Sequence, residues 1–365
     1  MLNKIAILTQ NDFVLSNNDN NYMLESRNDS SGIYYGYNIV TNVDLSKFNN
    51  MIKIQNRDVE LINKTNMFYS LALHDNVMYS NNNIFKTTFL IEPCNKKVSL
   101  IQKRDKIFSV DEDLISFIKL SKSIITSLNN SLESFITIID NVVYFILSNS
   151  FILYIVTPRV TLHNAISISF AMTVDRMRII ETYIAQFKDN RISIDFYEHS
   201  DGFVLLEILH KDESDKIDSR LQLLMEVKSV EIETIKQKKI EQLNRFISIP
   251  IMNSFIIDFK TYSKSMSVIN NFINDKLTVG IQIKLKFEDS NVIVSQTDRS
   301  SRHIDAIIGY TSDKNRSFIV TNAILNTINA VLLSGVKNNI EVKIRSIAEN
   351  IYLLSIENVH IAFES

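Results

Sequence analysis

A single cysteine, Cys94, stands in 365 residues, so no disulfide can form within the chain and no cluster of thiolates can hold zinc. Such usage fits a reducing, intracellular compartment. Tryptophan is absent, and there are only six glycines and three prolines. The glycines are isolated, which leaves no phosphate-cradling loop of the G-x-x-x-x-G-K type. Neither sign of charge is in excess: 39 Lys and Arg against 41 Asp and Glu give a net charge of −2. Nucleic acid would have to be met by a local cluster of Lys and Arg, not by the whole surface. Long apolar runs are missing too. The most apolar stretch, VVYFILSNSFILYIV at 142–156, is interrupted by Ser148, Asn149 and Ser150 and falls short of the ~20 residues a membrane-spanning helix needs. It reads as two buried strands turning at Ser-Asn-Ser, and no membrane association is expected. The start, MLNKIAILTQNDF, has no long apolar core and no small-residue cleavage site, so no signal peptide is expected.

Catalytic chemistry is poorly served. The histidines (His74, His163, His199, His210, His303 and His360) are scattered, without the spacing of metal ligands. Cys94 has no nucleophile signature around it and reads as an inert thiol. DRSSRHID at 298–305 is the most mixed polar cluster; it reads as a surface turn between strands, with a phosphate-binding patch as the alternative. Asp111 and Asp113 have a simple role at a helix N-terminus, where their charge complements the helix dipole. No metal, no cofactor and no enzymatic activity are expected.

What is present is an ordinary globular composition, 45% apolar and 22% charged, in a chain long enough for two or three domains of roughly 100–200 residues. Asn, Ile and Lys are plentiful, the bias of an AT-rich genome such as that of a virus or phage.

Residues 1–106 lean to strands: NKIAILTQ, DFVLS, SGIYYGYNIV, DVELI, NMFYSLAL and FKTTFLIEP alternate or run apolar between Asn/Asp/Ser clusters. A short helix is expected at about 44–54, capped by Asp44, with Phe48, Met51 and Ile52 inward. Residues 107–225 open with the strand KIFSV. A helix over about 112–129 follows, capped by Asp111 or Asp113, with Leu114, Phe117, Ile118, Ile125 and Leu128 as its apolar stripe. Strands come next at about 134–139, 142–148, 151–157 and 166–172. Thr173 then caps a helix over about 174–188 with Met177, Ile180, Ile184 and Phe187 inward, and Asp201-Gly202 joins a closing hairpin. Residues 211–250 are dense in charge; VKSVEIETI suits an exposed strand and KQKKIEQLNRF a short helix.

After the connector (226–252), residues 253–365 repeat the plan. FIIDF is a strand and YSKSMSVINNFIN a helix with Met266, Ile269 and Phe272 inward. Strands follow at about 279–287, 291–297 and 303–309. Thr321 caps NAILNTINAVL, and EVKIRSI, IYLLSIE and VHIAFES close the unit. The class is α+β, with helices on one face of antiparallel sheets.

Here the order of elements meets a known family. FVLLEILHKDESDKIDSRLQLLMEVKSVEIE followed by ISIPIMNSFIIDFKTYSKSMSVI resembles the stretch in DNA sliding clamps of the proliferating-cell-nuclear-antigen type that runs from one domain's last strand through the connector into the next domain. FIVTNAILNTINAVLLSGVKNNIEVKIRSIAENIYLLSIENVHIAFES resembles a clamp C-terminus. The resemblance covers about 107–365. GIYYGYNIVTNVDLSKFNNMIKIQNRDVELI fits as the second half of a clamp domain whose first helix is missing. As a degenerate third domain it would liken the chain to bacterial clamps, which close as dimers; as an appendage it would leave two domains and require a trimer.

The resemblance implies a ring of repeated clamp-type domains, antiparallel sheets outside and helices lining an inner face. Such a ring encircles duplex DNA without reading its sequence, tethers a DNA polymerase and needs a separate loader. It also implies sites. Basic residues on or beside the helices would face phosphates: Lys119 and Lys122, Arg176, Arg178 and Lys188, Lys260, Lys264 and Lys276, and Lys337. The last helix is a departure, with no basic residue before Lys337. Ile247, Ile249, Pro250, Ile351, Ile361, Ala362 and Phe363 match a family pocket for partner peptides beside the connector and the C-terminal tail. Two other readings stand beside this one: a clamp-fold transcription or assembly scaffold that does not encircle DNA, and a β-rich virion protein.

Overall fold

The computed structural model describes residues 11–18, 21–39, 41, 43–64, 71–74, 77–81, 86–128, 132–164, 166–187, 191–200, 202–228, 232–273, 283–297, 303–312, 316–334 and 339–365. The N-terminal segment holds β1 (Phe13–Asn18), β2 (Asn21–Asn28), β3 (Ile33–Ile39), β4 (Met51–Ile54), α1 (Asn56–Lys64), β5 (Leu71–His74), β6 (Val77–Asn81), β7 (Lys86–Leu90) and β8 (Glu92–Pro93). The middle segment holds β9 (Lys106–Val110), α2 (Asp113–Leu128), β10 (Glu133–Ile139), β11 (Val142–Ser148), β12 (Ile152–Val156), β13 (Val160–Leu162), β14 (Ile168–Ala171), α3 (Val174–Ile184), β15 (Ile192–Glu198), β16 (Phe203–Lys211) and β17 (Ile217–Glu226). The connector is α4 (Ile232–Ile235), a π-helical stretch (Lys236–Glu241) and α5 (Gln242–Ile247). The last segment is β18 (Asn253–Asp258), α6 (Phe259–Ile273), β19 (Ile283–Glu288), β20 (Asn291–Thr297), β21 (His303–Tyr310), β22 (Arg316–Val320), α7 (Asn322–Ser334), β23 (Asn339–Ala348), β24 (Ile351–Ile356) and β25 (Val359–Glu364).

Three antiparallel sheets result, and their strand orders recur. One runs β13-β9-β15-β16-β17-β3-β2-β1-β4-β8, another β14-β10-β11-β12-β25-β24-β23-β18-β21-β20-β19-β22, and the third β5-β6-β7. The order β14-β10-β11-β12 reappears as β22-β19-β20-β21 and as β4-β1-β2-β3. The order β9-β15-β16-β17 reappears as β18-β23-β24-β25, and β5-β6-β7 follows the order of its last three strands. A helix comes straight after β4, β14 and β22 alike. A helix also follows β9 and β18; among the described residues none precedes β1. The joints between segments repeat as well. β17 lies against β3, with Ser219 opposite Tyr37, and β25 lies against β12, with Ile361 opposite Ile152.

Contacts divide the chain into two compact units: Met1–Asp113, Arg159–Ile166 and Phe170–Lys228 form one, and Leu114–Pro158, Ser167–Ser169 and Ser229–Ser365 the other. In the first, Phe108 stacks on Phe196 with ring centroids 4.3 Å apart. Met177, Ile179, Ile180 and Tyr183 of α3 are buried, and the Tyr183 hydroxyl lies 2.6 Å from Ser219 Oγ. In the second, Leu114, Phe117, Ile118 and Ile124 of α2 are buried, and Phe117 stacks on Tyr154 at 5.3 Å. Tyr262 of α6 is fully buried and donates its hydroxyl to the Leu325 carbonyl of α7 at 2.9 Å. No helix described is long and apolar enough to cross a membrane.

Three local expectations are overturned. Residues 44–54 are not a helix. Asp44 accepts the Ser46 N–H at 2.9 Å just ahead of a 3-10 turn over Ser46–Phe48. Asn49 and Asn50 then take positive φ, and Met51–Ile54 becomes β4. Ile52 and Ile54, two apart, are both fully buried, the period of a strand and not of a helix. DVELI, expected as a strand, lies within α1. VKSVEIETI, expected as a strand, is helical from Ile232 onward; its residues 229–231 lie outside the described residues. Ile235 is buried there against Phe135, Ile139 and Ile146, so the connector is held by apolar packing. The strand expected at NKIAILTQ lies outside the described residues.

Gly36 makes a polar contact possible. It sits opposite Glu25 in the β2–β3 register, and a Cβ there would stand 2.6 Å from the Tyr34 hydroxyl. That hydroxyl donates to Glu25 Oε1 at 2.8 Å in a buried site, where burial raises the Glu25 pKa. Gly36→Ala is expected to displace the hydroxyl and cost about 1–3 kcal/mol, the penalty for an unsatisfied buried group. Urea melting checks this. Combined with Tyr34→Phe it should add little, because both remove one contact.

Candidate functional site

The basic side chains of the helices divide by what they touch. Lys119 on α2 and Lys260 and Lys264 on α6 are exposed, and Lys122 on α2 is half-buried. On α3, the Thr173 side chain accepts the Arg176 N–H at 3.3 Å as the expected cap. The Arg176 guanidinium is half-buried and donates to the Ser31 carbonyl, and burial lowers its pKa. It therefore ties the β2–β3 turn. Arg178 is exposed and 3.4 Å from Asp175. Lys188, Lys276 and Lys337 lie outside the described residues. α7 carries no charged residue, and its described side chains from Ile324 to Leu332 are buried or half-buried.

The apolar set proposed for a partner pocket is spread between core and surface. Ile361 and Phe363 are 3% and 7% exposed, and the Phe363 ring packs against Tyr352 and Phe318 at 5.6 and 6.3 Å. Ala362 and Ile249 are half-buried and Pro250 is exposed. Ile247 and Ile351 are 39% and 40% exposed.

Beside the end of the connector lies a cavity of about 520 Å³ lined by Ile247, Asn339, Glu341, Lys343, Arg345, Ser355, Glu357, Asn358 and His360. Ile247 alone comes from the apolar set. The rest comes from one face of β23, β24 and β25 and from the turn between the last two, and register places Lys343 opposite Ser355 and Ser355 opposite His360. Arg345 is 8% exposed. Its Nε donates to the Ile249 carbonyl at 3.0 Å and its Nη1 to Ser355 Oγ at 3.2 Å. His360 Nδ1 lies 3.1 Å from the same Ser355 Oγ. Burial, and then the Arg345 charge, bring the His360 pKa down from 6.5 to about 4. This polar floor was missed in the sequence, although a signal was there. Glu357 and Asn358 form a two-residue turn between β24 and β25, which sets Ser355 and His360 directly opposite each other.

A second cavity of about 520 Å³ lies in the other unit, under residues 97–100, with Glu25, Tyr34 and Arg220 in its wall. Arg220 there is 3.6 Å from the fully buried Glu207, which also takes Lys103 at 3.0 Å. Of DRSSRHID, residues 298–302 lie outside the described residues, and His303 Nε2 is 3.0 Å from Asp305. Among the described residues no group of three or more His, Cys, Asp or Glu is placed to hold a metal ion.

No family model and no curated protein sequence matches the chain. Solved structures do. The Helicobacter pylori beta clamp in complex with 5-chloroisatin is 12% identical with a TM-score of 0.67, over 100% of this chain and 96% of that one. The Helicobacter pylori beta clamp bound to a DNA ligase peptide is 11% identical with a TM-score of 0.65, over 98% and 91%. The Bacillus subtilis DNA polymerase sliding clamp is 11% identical with a TM-score of 0.64, over 99% and 91%. At this identity the likeness establishes the fold: the chain has the sliding-clamp fold along nearly its whole length.

Proposed function

We propose that this protein is a DNA sliding clamp, a polymerase processivity factor whose ring is closed by two copies of the chain. The reading is supported by a joint made twice within the chain and left open once. β17 joins β3 and β25 joins β12, each time the last strand of one repeat against the third strand of its first sheet half in the repeat before. Applied once more, the rule sets β7 of one chain against β21 of the next. Each edge is at least partly unpaired among the described residues, although the Ile307 carbonyl of β21 already accepts the Ser265 hydroxyl. Among the described residues β7 pairs only with β6, and β21, beyond its ladder with β20, meets β18 at the single pair Ile256–Tyr310. Ile307 and Tyr310 on β21 are 41% and 51% exposed. Such a contact is head-to-tail and closes when its rotation permits. With repeats at 1–106, 107–225 and 253–365, two chains supply six repeats, so a dimer is favoured over a trimer.

The ring would encircle duplex DNA, hold it through phosphates, tether a polymerase and depend on a loader for opening. None of these tasks breaks or makes a covalent bond, so no enzymatic activity is assigned. Light scattering at micromolar concentration tests closure: twice the chain mass of 42.1 kDa is expected, and a monomer would overturn the ring. DNA contact has its own test. Replacing Lys119, Lys122, Lys260 and Lys264 by alanine is expected to reduce the slope of log affinity against log salt by about one for each lysine that meets a phosphate. An unchanged slope would favour a clamp-fold scaffold that does not encircle DNA, a reading the neutral α7 also supports.

A further inference from the structure

A partner peptide docking beside the connector, on the clamp reading, would meet a charged floor where an apolar one was expected. Arg345 decides what that floor accepts. The residue is more than nine-tenths buried, and its guanidinium donates to a carbonyl and a hydroxyl. Among the described residues it makes no ion pair. A buried cation without a countercharge is costly, and a carboxylate brought to it would form charge-assisted, two-pronged hydrogen bonds. Lys343, one step along the same face, is already paired with an acid and leaves Arg345 as the cation of the lining without an ion pair among the described residues. Two acids also line the cavity. Glu341 is already held by Lys343 at 3.0 Å, and Glu357 belongs to the exposed turn between β24 and β25.

We propose that this cavity receives the carboxylate of an aspartate or glutamate side chain on a docking peptide, with an adjacent apolar side chain laid on Ile247. The volume of about 520 Å³ suits two side chains and lies within the range of ligand sites, roughly 300–1,000 Å³. Ser355 is the shared element: its hydroxyl orients both Arg345 and His360. The row Lys343–Ser355–His360 is built on three adjacent strands, so the floor is rigid before any ligand arrives. This inference rests on the clamp reading for the existence of a docking partner, but the chemistry of the floor can be tested apart from it.

The probes are two dipeptides, N-acetyl-Asp-Leu-amide and N-acetyl-Asn-Leu-amide, which differ by one charge. Titrations followed by saturation-transfer NMR on the full-length protein are expected to give at least tenfold tighter binding for the aspartyl peptide. Arg345→Gln should abolish the difference, and Ser355→Ala should weaken it. Should Arg345→Gln fail to fold, the matched pair on the wild-type chain decides alone. Equal binding of the two dipeptides would overturn the proposal, and so would displacement of the aspartyl peptide by inorganic phosphate at lower concentration, which would make this a general anion site. A dimer that shows no preference for the acid sinks this inference and leaves the clamp standing. A monomer sinks the ring, while the dipeptide titration still decides whether the floor selects a carboxylate.

Discussion

Replacing Gly309 by alanine is expected to cost about 3 kcal/mol of stability and to abolish pairing between copies of the chain. Gly309 lies on β21 where that strand meets β18. A Cβ at this position would stand 2.3 Å from the Ile256 carbonyl oxygen, 3.1 Å from its carbon and 3.3 Å from Ile257 Cα. All three are backbone atoms, so no side-chain rotation relieves the clash and one strand must move. The neighbourhood has little slack. The β20–β21 register shifts at Val292/Ile293, beside Gly309, which is where a bulge bends a strand. β18 in turn carries a full ladder with β23. Forced overpacking of this kind sits at the upper end of the usual 1–3 kcal/mol. Urea denaturation should show a lower midpoint, and light scattering a shift to the mass of one chain, because the edge offered to a second copy belongs to the displaced strand. Ile307→Ala separates the two effects. It removes an exposed apolar side chain from the same strand without touching the backbone, so dimerisation should weaken at a folding cost below about 1 kcal/mol. An unmoved midpoint in Gly309→Ala would refute the close approach of β18 and β21.

Local signals carried far. The stripe Leu114, Phe117 and Ile118 is buried as its spacing indicates. Thr173 caps its helix through the side chain. Ser-Asn-Ser turns the most apolar stretch, with Asn149 Oδ1 accepting the N–H groups of Phe151 and Ile152, each at 2.8 Å. What failed was short and decided by neighbours. MIKI became a strand because β1 lies beside it, and IETI at 232–235 entered a helix because the sheet face at Phe135 and Ile146 accepts Ile235. Pairings such as Ser219 with Tyr37 span most of the first unit, and no local pattern announces them.

The candidate site was legible in the same uneven way. Lysines at 119, 260 and 264 fall on exposed helix faces, as spacing alone suggests. Arg176 fits that pattern equally well, yet its guanidinium closes a turn 145 residues away in sequence. Arg345 was the harder case. In EVKIR, alternation puts Glu341, Lys343 and Arg345 on one face, the pattern of an ordinary solvated strand. Only the placement of the connector turns that face into a floor, because the Ile249 carbonyl takes one of the guanidinium donors.

Stability is expected to fall as pH drops from about 6.5 towards 4, and His360 should account for on the order of 3 kcal/mol of the loss. In the folded chain burial, followed by the nearby Arg345 charge, holds its pKa down from 6.5 to about 4. Above pH 6.5 the imidazole is neutral in both folded and unfolded chains and contributes no pH dependence. Between 6.5 and 4 the unfolded chain binds a proton that the folded chain refuses, so acid favours unfolding; below 4 both forms are protonated and the effect levels off. Glu25 works in the opposite direction. Burial raises its folded pKa above 4.5, so the folded chain holds the extra proton and gains stability as pH falls through that window. The raw profile is therefore a difference of the two, and the His360 share must be read against a variant. His360→Gln keeps a hydrogen-bonding partner for Ser355 but removes the titration. Its stability, measured by urea melting at pH 7, 6, 5 and 4, should decline less than the wild type's, with the gap opening below pH 6.5. Parallel curves would mean that His360 is protonated in the folded chain as readily as in water, and that the floor beneath Arg345 is open to solvent.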